Sequence, residues 1–497
     1  MHTRLAVLAL SAATALTAAE SIFETTAPAP TSKIDQLVFA HLKQLQIEPA
    51  ALSSDSVFLR RVFLDTVGIL PTPEEAREFL ADTNPAKRSA LIDRLLARPE
   101  FADYWANKWC DLLRVKAEFP INLWPNAAQA YHHWIRASIA ANKPYDQFVR
   151  QLLTESGSNF RNAPVNFYRA MQNRTPLGIA QSAALTFMGT RAEKWPAAQL
   201  AGMAAFFSRV GFKETGEWKE EIVFFDPAKP AAAQAQFPDG TEIKLAPDQD
   251  PRESFASWLT SPKNPWFARA IVNRAWYWVL GRGIIQEPDD IRADNPPENP
   301  ELLAYLEHEL LASNYDLKQI YRLILNSQVY QLSPVLRSDR PDAAAHFAYY
   351  PLRRLDAETL IDAINQITGT GETYSSAIPE PYTFMPDDQR ATALPDGSIT
   401  SAFLELFGRP PRDTGIEAER NNRLTDAQRL HLLNSSHILN KLQQGPKLRN
   451  LARTPRALYL AILSRYPTDD EMKLIARMQP VDIAWALINS TEFLYRH

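Results

Sequence analysis

Two polar stretches hold most of the side chains that could do chemistry. The first, "LGRGIIQEPDDIRADNPPENPELL" (residues 280–303), carries Arg282, Asp289, Asp290, Arg292 and Asn295, with Arg274 just upstream. Pro288, Pro296, Pro297 and Pro300 fix the backbone path, so these groups sit on a stiff loop, a usual place for binding sites. The same residues could instead pin the loop, with Asp289 or Asp290 pairing to Arg282 or Arg292. The second stretch, "GRPPRDTGIEAER" (residues 408–420), contains Arg409, Arg412, Asp413, Glu417, Glu419 and Arg420. Glu417 and Glu419 share a side only if the chain is extended, and diverge on a helix. Paired carboxylates can perform general acid–base work or bind a hard cation such as calcium. Acids alternating with arginines also build salt-bridge networks. Arg353 and Arg354 in "PLRRLDAETL" could join either network.

Other chemistries find little support. The formal net charge is −4, without the basic excess expected of a nucleic-acid binder. No GxSxG, HExxH, Walker or GxGxxG motif occurs, and Ser156 and Ser158 have no nearby His or Lys in sequence. Cys110, the only cysteine, lies among helix-spaced apolar residues and reads as a packed core thiol. His132, His133, His308 and His431 lack a recognisable haem-ligand context. Trp105, Trp109, Trp124, Trp134, Trp276 and Trp278 mostly fall at helical spacing, which favours core packing over a sugar platform.

The elements that must position these residues are mainly helical. Residues 1–19 read as an export signal, with Arg4, an apolar run over 5–16 and small residues at Thr17, Ala18 and Ala19. Residues 20–32 then read as a flexible tether. Apolar residues recur every three or four positions from Ile34 to about Glu155, and the helical period resumes at Pro251, which predicts two helical lobes over 33–210 and 251–497. Between them, 211–250 alternates around a Pro238-Asp239-Gly240 turn and predicts a small β-insert. No later segment approaches the roughly 20 apolar residues of a membrane span. Thr72 with Glu75, and Thr468 with Glu471, are spaced as capping boxes. Each precedes an amphipathic helix and a Glu-Phe pair, Glu100-Phe101 or Glu492-Phe493, and a weaker echo lies at 320–333. These predict recurring helix-pair units at irregular spacing. Residues 369–398 lack any period, and a loop of that length is often functional.

The motifs "RRVFLDTVGILPTPEE", "NPWFARAIVNRAWYWVLGRGIIQEPDDIRADNPPENPELL" and "FGRPPRDTGIEAERNN…HLLNSS" resemble the paired helical domains of planctomycete-type surface cytochrome proteins. The resemblance covers nearly all of the chain after residue 32. Many relatives carry a CxxCH haem-attachment insertion at the position of Arg191 to Trp195, and cysteines where Ile416 and Ala418 stand here. This chain has neither, so it resembles a haemless member without a covalent cofactor. The paired loss suggests that "GTRAEKW" and "TGIEAER" adjoin, with Trp195 filling the vacated space. The resemblance implies an exported protein of the periplasm or cell surface, of unsettled activity. A non-catalytic binding role is expected, with an exported sulfatase- or phosphatase-like protein or a surface polysaccharide as partner. The alternatives are a carboxylate-dependent polysaccharide hydrolase or lyase and a redox-associated protein with a non-covalent cofactor.

Overall fold

The computed structural model describes residues 22–230, 232–451 and 454–497; the expected export signal lies outside them. Half of the described residues are helical and 6% are strand, a mainly α fold. Both predicted capping boxes form. Glu75 N donates to Thr72 Oγ1 at 3.1 Å and Thr72 N to Glu75 Oε2 at 2.8 Å, while Glu471 N donates to Thr468 Oγ1 at 3.2 Å and Thr468 N to Glu471 Oε2 at 2.7 Å. The two units share one more device. Arg98 bridges Glu75 (2.7 Å) and Glu100 (3.0 Å), and Arg465 bridges Glu471 (2.7 Å) and Glu492 (2.6 Å). In each, the capping glutamate and the glutamate before the buried phenylalanine are tied by a single guanidinium, which fixes the angle between helices.

The β-insert forms as two antiparallel hairpins, Val210–Glu214 with Glu221–Phe225 and Gln234–Gln236 with Glu242–Lys244. Gly157–Ser158 adds a third strand to the first hairpin, docking it on the preceding helices. The buried apolar side chains gather into two clusters that do not divide at these hairpins. One runs from Ile34 to Tyr350 and takes in Leu460; the other runs from Leu355 to Phe493 and takes in Leu64 and Leu70.

The segment expected to be a tether is docked. Thr25 N and Leu52 N donate to Leu52 O and Thr26 O at 2.8 and 2.9 Å, and Ala29 N donates to Gln328 Oε1 at 2.8 Å. Its polar, proline-rich composition gave no sign of this docking, which rests on an isolated antiparallel bridge between Glu24 and Ser53 and on backbone groups of the segment bonded to distant partners. Among the described residues no helix is long and apolar enough to cross a membrane.

Four elements set up the site. The helix Pro99–Leu112 carries Asn107, Lys108 and Asp111. The helix Phe267–Leu280 carries Arg274, Tyr277 and Trp278 and stops at Gly281. Arg353–Arg354 pairs antiparallel with Tyr495–Arg496, bringing the chain end to the same place. Asp356 stands at the N-cap of the helix Ala357–Thr368, yet its side chain makes no capping bond.

Candidate functional site

Between these elements lies a cleft of about 330 Å³. Lys108, Arg353, Arg354, Arg420 and Arg496 line it, against Asp356 and Glu417 as the lining carboxylates among the described residues. Tyr277, Asn422 and Tyr495 add neutral hydrogen-bonding groups. Asp356 forgoes its helix cap to bind Lys108 at 2.8 Å, Arg496 at 3.1 Å and Asn422 at 2.7 Å. Burial would raise its pKa, but Lys108 and Arg496 outweigh this and hold the carboxyl well below the usual range.

Behind this wall the cations share carboxylates. Asp65 meets Arg353 at 3.1 Å and Arg496 at 3.3 Å, and also accepts from the Tyr330 and Tyr350 hydroxyls at 3.1 and 2.8 Å. Arg420 pairs with Glu358 at 2.7 Å and Asp111 at 2.5 Å, and Arg412 joins Asp111 at 2.9 Å. Arg354 binds the Gln428 side chain and, at 2.7 Å, the Phe407 carbonyl, both neutral. Counting Lys108, Arg353, Arg354, Arg412, Arg420 and Arg496 against Asp65, Asp111, Asp356, Glu358 and Glu417, six against five, leaves the cleft with surplus positive charge.

The predicted site residues divide into three groups. Arg353, Arg354, Glu417 and Arg420 line the cleft. Asp289, Arg274 and Arg412 stand behind it, all buried. Asp289 pairs with Arg274 rather than with Arg282 or Arg292, and its other oxygen accepts from Glu417 N at 2.6 Å. Asp290, Arg292, Asn295, Arg282 and Glu419 stay outside. Arg292 ties Asp290 (3.1 Å) to Asp294 (3.0 Å), and Asn295 donates to the Gln286 and Asp290 carbonyls at 2.9 Å, so these residues pin the loop on itself. Arg282 reaches Glu298 at 3.6 Å.

Glu417 and Glu419 lie in one short helical turn and diverge. Glu417 accepts from Trp278 Nε1 at 3.0 Å, while Glu419 accepts from Asp413 N at 3.0 Å. Burial, and for Glu417 the neighbouring Asp289, push both carboxyls above their ordinary value. Asp289, Asp290, Glu417 and Glu419 therefore do not converge on one reacting point. Among the described residues, no group of three or more His, Cys, Asp or Glu side chains could hold a metal ion.

Lys108, Asp65, Asp356 and Arg496 were not singled out in the sequence. For Lys108 a signal was present: it lies among the helix-spaced apolar residues Trp105, Trp109 and Leu112, where a charge must find a partner or be excluded.

The stretches "GTRAEKW" and "TGIEAER" are linked through the proline-rich loop. Ile291 N donates to Gly189 O at 2.8 Å, Thr190 Oγ1 donates to Ile291 O at 2.8 Å, and Arg191 pairs with Glu287 at 3.2 Å. Asp289 of the same loop then meets Glu417. Gly189 is required there. Its φ is +60°, and a Cβ would stand 2.7 Å from the Pro288 carbonyl oxygen. Trp195 is half-buried against the first core cluster.

The profile of the PSCyt2 family, a protein of unknown function (DUF1549), matches residues 33–209. That of PSD1, a protein of unknown function (DUF1553), matches residues 251–479. The chain belongs to the paired PSCyt2–PSD1 family of planctomycete cytochrome-associated proteins. The PSCyt2 match supplies Lys108 and Asp111, and the PSD1 match supplies Arg353, Arg354, Asp356, Glu417 and Arg420, so the cleft is built from both. No curated protein and no solved structure matches the chain.

Proposed function

We propose that this PSCyt2–PSD1 protein is an exported, non-catalytic binding protein whose cleft takes an anionic group of a surface polymer or partner protein. The observation that carries this reading is the cationic surplus in the cleft, with five basic side chains and three neutral hydrogen-bonding groups along its walls. Guanidinium groups in fixed orientations suit planar carboxylates and tetrahedral sulfate or phosphate esters. Export rests on the sequence of residues 1–19. The role needs no covalently attached haem. Cys110 is buried, its thiol pushed up to about 12 by burial, and a single cysteine cannot make two thioether bonds.

One observation favours an alternative, a carboxylate-dependent hydrolase or lyase. Glu417 faces the cleft with a raised pKa, and among the described residues it forms no ion pair with a lysine or arginine. Binding fits better, because the other carboxylate of the cleft, Asp356, is taken up by Lys108, Arg496 and Asn422, and burial pushes the Tyr277 hydroxyl far above neutrality.

The reading is tested with Arg354→Gln, which removes a cleft charge without leaving a carboxylate unpaired. Calorimetric titration of oligogalacturonate and of a sulfated oligosaccharide should give binding that weakens with added salt and weakens further in the variant. Equal binding by wild type and variant contradicts it.

A further inference from the structure

A second cluster, made of residues outside the cleft, gathers exposed aromatic rings. Trp218 is 68% exposed and Tyr382 49%. Trp124 stands between them, its ring centroid 6.4 Å from Trp218 at an interplanar angle of 86°, and 5.4 Å from Tyr382 at 60°. The three rings come from three separate segments: the turn over 116–124, the tip of the first β-hairpin, and the unpatterned loop over 369–398. Scattered exposed apolar residues are ordinary on a protein surface, but rings brought together from three loops are not.

The arrangement is held in place. Trp124 has φ +71°, a left-handed conformation that is costly for an aromatic residue. Backbone bonds from Leu123 N to Lys116 O (3.2 Å) and from Trp124 N to Ala117 O (3.1 Å) sustain it. Glu118 in the same turn accepts from Ser376 Oγ and Ala377 N, both at 2.9 Å, and so fastens the long loop that carries Tyr382. The Lys219 ammonium lies over both tryptophans, 5.6 Å from the Trp124 centroid and 5.2 Å from that of Trp218.

Beside the rings runs an open groove of about 700 Å³ that includes Asn122, Arg169, Arg174, Glu217 and Glu221. Arg169 and Arg174 both hold Glu221, at 2.7 and 3.0 Å, so the polar wall is pre-set. Its acids, Glu214, Glu217, Glu220 and Glu221, outnumber Arg169, Arg174 and Lys219 by four to three, leaving no cationic surplus. We infer that Trp124, Trp218 and Tyr382 form a platform for a neutral polysaccharide chain. Sugar rings present C–H faces that pack on aromatic rings, and their hydroxyls suit an alternating carboxylate–guanidinium wall. A polyanionic chain is disfavoured by the acids, and a protein partner would call for aliphatic surface that this groove does not line. The platform shares no residue with the cationic cleft, so either site can fail without the other.

The test is native affinity electrophoresis of the full chain through gels containing hydroxyethyl cellulose, glucomannan, xylan, laminarin or pullulan. Trp218→Ala and Tyr382→Ala are run beside wild type, with circular dichroism and thermal melting to confirm folding. Both side chains are largely exposed, so the variants should fold. At least one of the glycans should retard wild type, and each substitution should weaken that interaction about tenfold or more. No retardation by any of them, or wild-type retardation in both folded variants, overturns the inference. So does a surface whose binding to a protein, and not to a glycan, depends on Trp218.

Discussion

Replacing Asp289 by alanine should loosen the junction between the proline-rich loop and the turn that holds Glu417. Asp289 and Arg274 are each 1% exposed, and the pair is joined by a charge-assisted hydrogen bond. Without Asp289, Arg274 keeps one carbonyl partner, Thr186 O at 3.0 Å, and the Glu417 amide loses its acceptor. An uncompensated buried guanidinium costs about 3–5 kcal/mol. If the cluster over 34–350 melts as one unit, an unfolding entropy of roughly 2.1 cal/mol/K per residue converts this to a fall in Tm of about 5–7 °C. Asp289→Asn keeps an acceptor for the amide and should lose less. It should also let the Glu417 pKa fall, since the Asp289 charge is one of the causes that raise it. Thermal melting followed by circular dichroism, with NMR titration of labelled Glu417, measures both effects. A Tm within about 1 °C of wild type for a folded Asp289→Ala protein would mean that the Asp289–Arg274 pair does not hold this junction.

Burial opposes ionisation of Glu358, but Arg420 and Arg409 hold its pKa down to about 2 from an unfolded value of 4.5. Its stabilisation is fully present above pH 4.5 and is lost as pH falls through 2, a share of about 3 kcal/mol. Urea midpoints should drop across that window, and Glu358→Gln, less stable at pH 7, should show a shallower drop. Gly281 has φ +76°, and a Cβ there would stand 2.1 Å from Arg353 Cδ. Gly281→Ala should therefore destabilise by about 1–3 kcal/mol in denaturant titration and weaken anion binding by displacing Arg353. Trp195 is only half-buried, so Trp195→Ala should cost about 2 kcal/mol by the same assay, below the 3–5 kcal/mol of a fully buried tryptophan.

What could be read from the sequence was what is locally encoded. Thr72 with Glu75, Thr468 with Glu471, and the Pro238-Asp239-Gly240 turn each act within a few residues, so spacing alone predicts them. The second polar stretch and "PLRRLDAETL" led to four of the seven charged residues that line the cleft, Arg353, Arg354, Glu417 and Arg420. The rest depends on which distant element arrives. Asp289 has two arginines nearby in sequence, but Arg274 meets it because the helix Phe267–Leu280 runs directly beneath the loop. Lys108 and Asp356 are 248 residues apart and join only when the first helices pack on the last third of the chain. Trp124 fits helical spacing in sequence, yet its left-handed backbone places it ahead of the helix Pro125–Ala140, half-exposed, where periodicity is no guide. The docked segment over 22–32 is a case of the same kind, held by backbone groups that composition does not report.

The central claim, that the cleft binds an anionic group and does not transform it, is tested most directly by recovering the ligand. Oligogalacturonate and a sulfated oligosaccharide are incubated with the full chain at equilibrium, binding is measured by calorimetry, and the released ligand is weighed by mass spectrometry. Binding should be saturable and salt-sensitive, with the ligand returned at its original mass. Shortened or unsaturated products that form with wild type and vanish in Glu417→Gln would contradict it and make the cleft an active site.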